Sequence, residues 1–234
     1  MKEKLEKILK KYEINCNEEI LNNFLLYYKL ILEWNEKINL TNIVEEDETI
    51  FKHFLDCVLP YREFKENAKI VDVGSGAGFP AIPLKIVRPD LEIVMIDSLN
   101  KRINFLNDVI LKLNLKKISA IHGRCDDMAK DFVFREKFDF ATARAVARLN
   151  TLSEYLLPFV KVGGEMIAYK ASLAEEELVE AKTALKTLGG KYEKTLSYKI
   201  SEISAERNVV VISKVEKTNM LYPRDKNRPK SDPL

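Results

Sequence analysis

Three glycines at alternate positions, Gly74, Gly76 and Gly78, interrupt an apolar run in the segment IVDVGSGAGFP, residues 70–80. A β-branched run that breaks into glycines and then resumes as an apolar stretch is the pattern of a buried strand, a tight turn and a helix start. The free N–H groups at such a helix start, with a backbone that a ligand can approach closely, make a nucleotide-sized binding site. The dinucleotide fingerprint G-x-G-x-x-G would place its third glycine at position 79, which is Phe79. Asp72, two residues before the first glycine, is misplaced beside a pyrophosphate and suits a ligand carrying positive charge. S-adenosylmethionine, with an ammonium, a sulfonium and no phosphate, fits both observations. Asp97 follows a second apolar run, residues 91–96, about 20 residues past the glycines, where a carboxylate accepts ribose hydroxyls. Taken alone, Asp97 reads as a helix cap. The order and spacing of the two features make a nucleoside site the stronger reading.

More candidates fall at the ends of later strands. Residues 118–121 read as a third strand, ending near Asp126 and Asp127, where an adenine amino group would lie; both also suit helix N-caps. Residues 138–142 read as a fourth strand, followed by Arg144 and Arg148, and residues 165–169 as a fifth, ending at Lys170. Helical periodicity is expected over 99–113 and 152–160, and over 172–188, where Ser172 and Glu175 have the capping-box spacing. Two last strands, near 192–200 and 209–215, have no helix between them and predict an antiparallel edge. Alternating β and α elements imply a mostly parallel sheet with ligands bound beyond its carboxyl ends. The expected fold is α/β, a Rossmann-like class I methyltransferase fold with seven strands. Before it, helices are expected at 1–13, 17–34 and 47–62, whose aromatic residues read as core. This gives an N-terminal helical segment, 1–64, and a methyltransferase domain, 65–234, with a tail rich in Pro and Lys/Arg.

The 234 residues suit one α/β domain with an accessory segment. A net charge of +2 neither demands nor excludes nucleic acid, so the placement of charge matters more. The three cysteines, Cys16, Cys57 and Cys125, are too scattered for a disulfide frame or a zinc site, and point to a reducing cytoplasm. His53 and His122 lack metal-ligand spacing, and no metal is expected. No apolar run is long enough for a membrane span, and no secretory leader is read at the N-terminus.

Several motifs together carry a family resemblance. The segment Trp34-Asn35-Glu36-Lys37-Ile38-Asn39-Leu40-Thr41 resembles the WNxxxNLT stretch of the RsmG family, formerly called glucose-inhibited division protein B. His53-Phe54-Leu55-Asp56, the VDVGSGAGFPAIPL loop, the Asp97-Ser98-Leu99 turn, Arg144-Ala145 and the closing Tyr222-Pro223-Arg224 to Pro233-Leu234 resemble it too. The departures are Ala81, where the family often has glycine, and a looser acidic pair around Cys125 and Asp126. The resemblance implies an S-adenosylmethionine-dependent enzyme that methylates guanine N7 in 16S ribosomal RNA or the small ribosomal subunit. It implies cofactor contacts at Gly74, Phe79, Asp97, Ser98, Leu99, Cys125, Asp126 and Arg144, to which the loop adds Gly76 and Gly78. Guanine N7 carries a lone pair and no proton, so no catalytic acid or base is named, and alignment is the expected source of rate. No Asn/Asp-Pro-Pro-aromatic motif follows the fourth strand and no cysteine follows a proline, which disfavours amino and carbon acceptors. Arg144, Arg148, Lys170, Arg224, Lys226 and Arg228, with Lys230, are the expected RNA contacts; a solvated tail is the plain alternative for the last four. The protein is expected to be monomeric. Rival classes are a small-molecule or protein methyltransferase, a non-catalytic nucleoside-binding module and a dinucleotide oxidoreductase.

Overall fold

The elements are set by period. In β1 (Lys69–Val73) Ile70 joins one apolar core while Val71 and Val73 join another. This period-2 alternation is that of a strand covered on both faces. The computed structural model describes residues 1–170, 174–225 and 227–234. The other strands are β2 (Glu92–Asp97), β3 (Ile118–His122), β4 (Phe138–Arg144), β5 (Val160–Lys170), β6 (Gly190–Ile200) and β7 (Ala205–Lys214). Among the described residues they form one seven-stranded sheet in the order β3-β2-β1-β4-β5-β7-β6. Strands β1 to β5 are parallel, and β7 runs antiparallel between β5 and β6. The chain order reverses at β1, between β2 and β4, which is where such sheets bind ligands. The antiparallel edge is as the sequence predicts.

On one face lie α1 (Lys2–Lys11), α2 (Glu18–Ile38), α3 (Glu46–Thr49), a π-helical stretch Ile50–Leu55, α4 (Asp56–Val58), α5 (Ala81–Val87) and α6 (Asn100–Lys112). Helix α2 begins where Asn17 accepts the N–H of Ile20 at 2.9 Å. It buries Ile20, Leu21, Phe24, Tyr27, Leu30 and Ile31. Phe24 and Tyr27 both pack on Phe54, with ring centroids 4.8 and 5.6 Å apart. Such rings each bury about 150 Å² or more and hold α2 to the π-helical stretch, and Tyr27 meets Phe79 beyond β1 edge to face at 5.8 Å. The helix expected over 47–62 is interrupted by the π-helical turn, which the 3.6-residue pattern does not anticipate.

The other face carries α7 (Cys125–Met128), α8 (Leu149–Leu156), α9 (Ala174–Glu180), α10 (Lys182–Leu188) and α11 (Arg228–Ser231). The expected single helix over 172–188 is two helices broken at Ala181. Its expected cap at Ser172 lies outside the described residues. The C-terminal segment is docked rather than solvated: Pro229 is buried and its carbonyl accepts the Thr151 hydroxyl of α8 at 2.9 Å.

Candidate functional site

The glycine turn is held by the strand beside it. The N–H groups of Gly74 and Ser75 donate to the carbonyl of Ile96 at 2.8 and 3.3 Å, and that of Gly76 donates to the Asp97 carboxylate at 2.9 Å. Gly74 has φ of +71°, and a Cβ there would sit 2.9 Å from Val146. A side chain at 74 would be strained in backbone and contact alike. Gly78 does different work. A Cβ there would lie 2.6 Å from Ile82 and 3.0 Å from Leu106 and the Tyr27 hydroxyl. It lets α5, α6 and α2 close on the turn. Gly78 therefore lies behind the cavity wall, and Leu99, whose N–H donates to Asp97, also lies outside it.

A cavity of about 490 Å³ opens beyond the carboxyl ends of β1, β2, β3 and β4. That lies within the range of small-molecule sites. Gly74, Gly76, Phe79, Asp97, Ser98, Cys125, Asp126 and Arg144 all line it. Asp97 is 3% exposed. Its Oδ2 accepts from Gly76 and, at 3.3 Å, from Arg102; among the described residues its Oδ1 accepts from Leu99 alone, which leaves one lone pair. Asp126, also buried, receives two hydrogen bonds from Arg124 at 2.8 and 3.0 Å. Burial pushes the Cys125 thiol up to about 12, so it is no thiolate nucleophile at neutral pH. Asp72 is fully buried beneath the turn; Thr142 donates to its Oδ1 at 3.0 Å, and its Oδ2 has no partner among the described residues.

The β4 side of the cavity is built from the N-terminal helices. Arg144, the last residue of β4, donates to the carbonyl of Lys52 at 2.8 Å, to Asp56 at 3.0 Å and to His53 Nδ1 at 3.0 Å. Its guanidinium lies 4.8 Å from the centre of the Phe79 ring, on which His53 stacks at 4.3 Å. Ala145, next in the chain, has φ of +57°, a strained conformation of the kind that concentrates at functional sites. Burial, together with the charge of Arg144, holds His53 down to about 3, so the imidazole is neutral. A second cavity of about 500 Å³ shares His53, Arg144 and Ala145 with the first and extends to Lys170 and Glu177. His53 and Thr41 were missed from the sequence as cavity residues. The signal present was the pair of motifs that contain them.

The expected RNA contacts scatter. Of them Arg144 and Lys230 line the first cavity, and Lys170, in the second, is paired with Glu177 at 2.6 Å. Arg148 is exposed and pairs with Glu180 at 2.8 Å. Arg224 is tied to Glu154, a fully buried residue of α8, by three hydrogen bonds of 2.7 to 3.2 Å from its side chain. That makes it a structural residue. Lys226 lies outside the described residues. Arg228 is exposed, with Asp232 at 3.7 Å, and Asn227 and Lys230 reach the cavity rim.

The fold is shared with enzymes of different chemistry. It matches the M. jannaschii protein TYW2 in complex with AdoMet at 19% identity and a TM-score of 0.55, over 75% of this chain and 79% of that one. It also matches the [4+2]-cyclase SpnF at 13% identity and a TM-score of 0.53, over 69% and 80%. Fold alone therefore does not fix the reaction. Sequence reaches further. The chain is 46% identical to the ribosomal RNA small subunit methyltransferase G of Brevibacillus brevis, over 100% of this chain and 99% of that protein. Residues 20–210 match the family model GidB, rRNA small subunit methyltransferase G, and with that span and identity the chain belongs to this family.

Proposed function

We propose that this protein transfers a methyl group from S-adenosylmethionine to N7 of a guanine in the 16S RNA of the small ribosomal subunit. Family membership supports the substrate class. One observation of the site carries the choice of atom: the wall on the β4 side holds the permanent cation Arg144 and the neutral His53. Neither is a base poised to take a proton. Asp56 nearby is held by Arg144 and, at 3.4 Å, by Arg207. Guanine N7 has no proton to lose, so a β4 wall without a poised base suits it.

The residues fit the cofactor. Gly74 and Gly76 leave the backbone open, Asp97 Oδ1 keeps a lone pair for a ribose hydroxyl, and Cys125 and Asp126 stand at the β3 end for the adenine. S-adenosylmethionine, when bound, supplies a methyl group activated by its sulfonium. Gly78 shapes the turn, and Ser98 and Leu99 carry the chain from Asp97 into α6. Arg144 and Phe79 close the cavity and exclude water, and alignment of the two reactants supplies the rate. In this reading residues 1–64 form a helical segment on a methyltransferase domain of residues 65–234. The protein acts as a monomer in the cytoplasm.

The test is incubation with labelled S-adenosylmethionine and small ribosomal subunits. Methylation at N7 leaves a cationic base, so borohydride followed by aniline should cut the RNA at one guanosine. Methylation without that cleavage would overturn N7 as the acceptor.

A further inference from the structure

The hydrogen bonds on the β4 side of the cavity have a fixed direction. A guanidinium has no acceptor, so the 3.0 Å contact between Arg144 Nη2 and His53 Nδ1 requires a lone pair on Nδ1. The carbonyl of Lys52, 3.1 Å from Nδ1, already receives Arg144 Nη1 at 2.8 Å and needs no donor from the ring. The imidazole therefore carries its proton on Nε2, which lies 3.0 Å from the hydroxyl of Thr41. The backbone N–H of Ile43 donates to the same hydroxyl oxygen at 3.1 Å. Both lone pairs of that oxygen are taken. Its own proton has no acceptor among the described residues, and Thr41 lines the cavity.

A hydroxyl forced to donate into a cavity selects for an acceptor there. Resting on the guanine reading above, we infer that Thr41 is a specificity residue that donates to O6 of the target guanine, with His53 and Arg144 as positioning residues that set its polarity. Guanine presents O6 and N7 side by side as acceptors, and adenine presents an amino donor in place of O6. A donor at O6 holds the ring while leaving the N7 lone pair free for the methyl group. The same donor meets the adenine amino group donor to donor. Thr41 stands on the side of the cavity away from Cys125 and Asp126, which the adenosine would occupy, so the acceptor base and the cofactor do not compete for one wall.

The test uses small subunits assembled with rRNA that carries guanine or 2-aminopurine at the target position. 2-Aminopurine keeps N7 and lacks O6. The wild-type enzyme and Thr41→Ser should lose about tenfold in kcat/KM on 2-aminopurine, the worth of one good hydrogen bond. Thr41→Val should lose a similar factor on guanine and show no further loss on 2-aminopurine, while its affinity for S-adenosylhomocysteine stays that of the wild type. A Thr41→Val enzyme that still discriminates between the two bases overturns the inference and leaves the functional reading intact. A wild-type enzyme that does not methylate the guanine subunits overturns both.

Discussion

Asp97 Oδ2 accepts the backbone N–H of Gly76 at 2.9 Å and so binds the glycine turn to the end of β2. The same carboxylate accepts the N–H of Leu99, the residue before α6, and among the described residues retains one lone pair on Oδ1. Of its two readings from sequence, the helix cap is not met, since Leu99 holds the N-cap of α6 without a side-chain cap hydrogen bond, and the free lone pair suits the ribose acceptor.

Asp97→Ala should weaken binding of S-adenosylhomocysteine by roughly 1–3 kcal/mol, the worth of charge-assisted hydrogen bonds. It should also lower Tm, because the Gly76 N–H loses its partner. Calorimetry on the folded variant decides the point: an unchanged Kd would confine Asp97 to holding the turn. NAD should not bind the wild type. No glycine stands at position 79, and Phe79 packs there against His53 and Arg144.

Stability should fall between acid and neutral pH because of Asp72. Complete burial pushes its carboxyl up to about 7. In the unfolded chain the same group releases its proton near 3.9. Between those values the folded state holds a proton that the unfolded state has lost, so stability declines as pH rises from about 4 to about 7 and is level above. Asp72→Asn keeps the shape and removes the ionisation. Its Tm should exceed that of the wild type at pH 7.5, and the two should converge near pH 4. Parallel Tm profiles from pH 4 to 8 would show that the folded chain keeps this carboxylate charged.

The parts of the molecule that were legible in the sequence are those whose signal is local. The strand–glycine–helix unit, the Asp97 spacing and the unseparated last two strands each lie within a short window, and each is found where the pattern puts it. Thr41 and His53 were not legible as cavity residues. They meet the cavity where Arg144, some 90 residues beyond His53, bonds the Ile50–Leu55 turn to the end of β4 and His53 in turn meets Thr41. Arg224 misled for the same reason. A basic residue in a Pro-rich tail reads as an RNA contact, with solvation as the alternative, and the buried carboxylate that claims it lies 70 positions earlier in α8. The break at Ala181 carries no glycine or proline, so nothing in the local pattern marks it.

Arg224→Ala should destabilise the fold by roughly 3–5 kcal/mol, because it strands Glu154 as a buried, uncompensated charge. For a chain of this size that is a fall in Tm of roughly 6–20 °C. Replacing both partners with leucine should recover most of the loss, since it removes the stranded charge. Thermal melts followed by circular dichroism measure both. An Arg224→Ala variant that melts with the wild type would show that Glu154 finds another partner or water.

RNA affinity should depend on the rim residues of the C-terminal segment and not on Arg224. Arg228 is exposed and only loosely paired, and Lys230 stands at the cavity mouth. Both sit on α11, which the Thr151–Pro229 hydrogen bond fixes to the core beside the site. Phosphate contacts release condensed counterions, and each contact to a single strand adds about 0.7 to the slope of log K against log salt. Arg228→Gln with Lys230→Gln should therefore flatten that slope by roughly 1–1.5 and weaken binding at low salt more than at high salt. Arg224 must be left in place, because its loss would alter the fold and obscure the comparison. Binding titrations of rRNA between 50 and 200 mM salt, at about the ionic strengths over which such contacts are screened, read the slope directly. A double variant with the wild-type slope would take α11 off the RNA-binding face and leave the basic residues nearer β2 and β3, Arg102 and Arg124, to be replaced next.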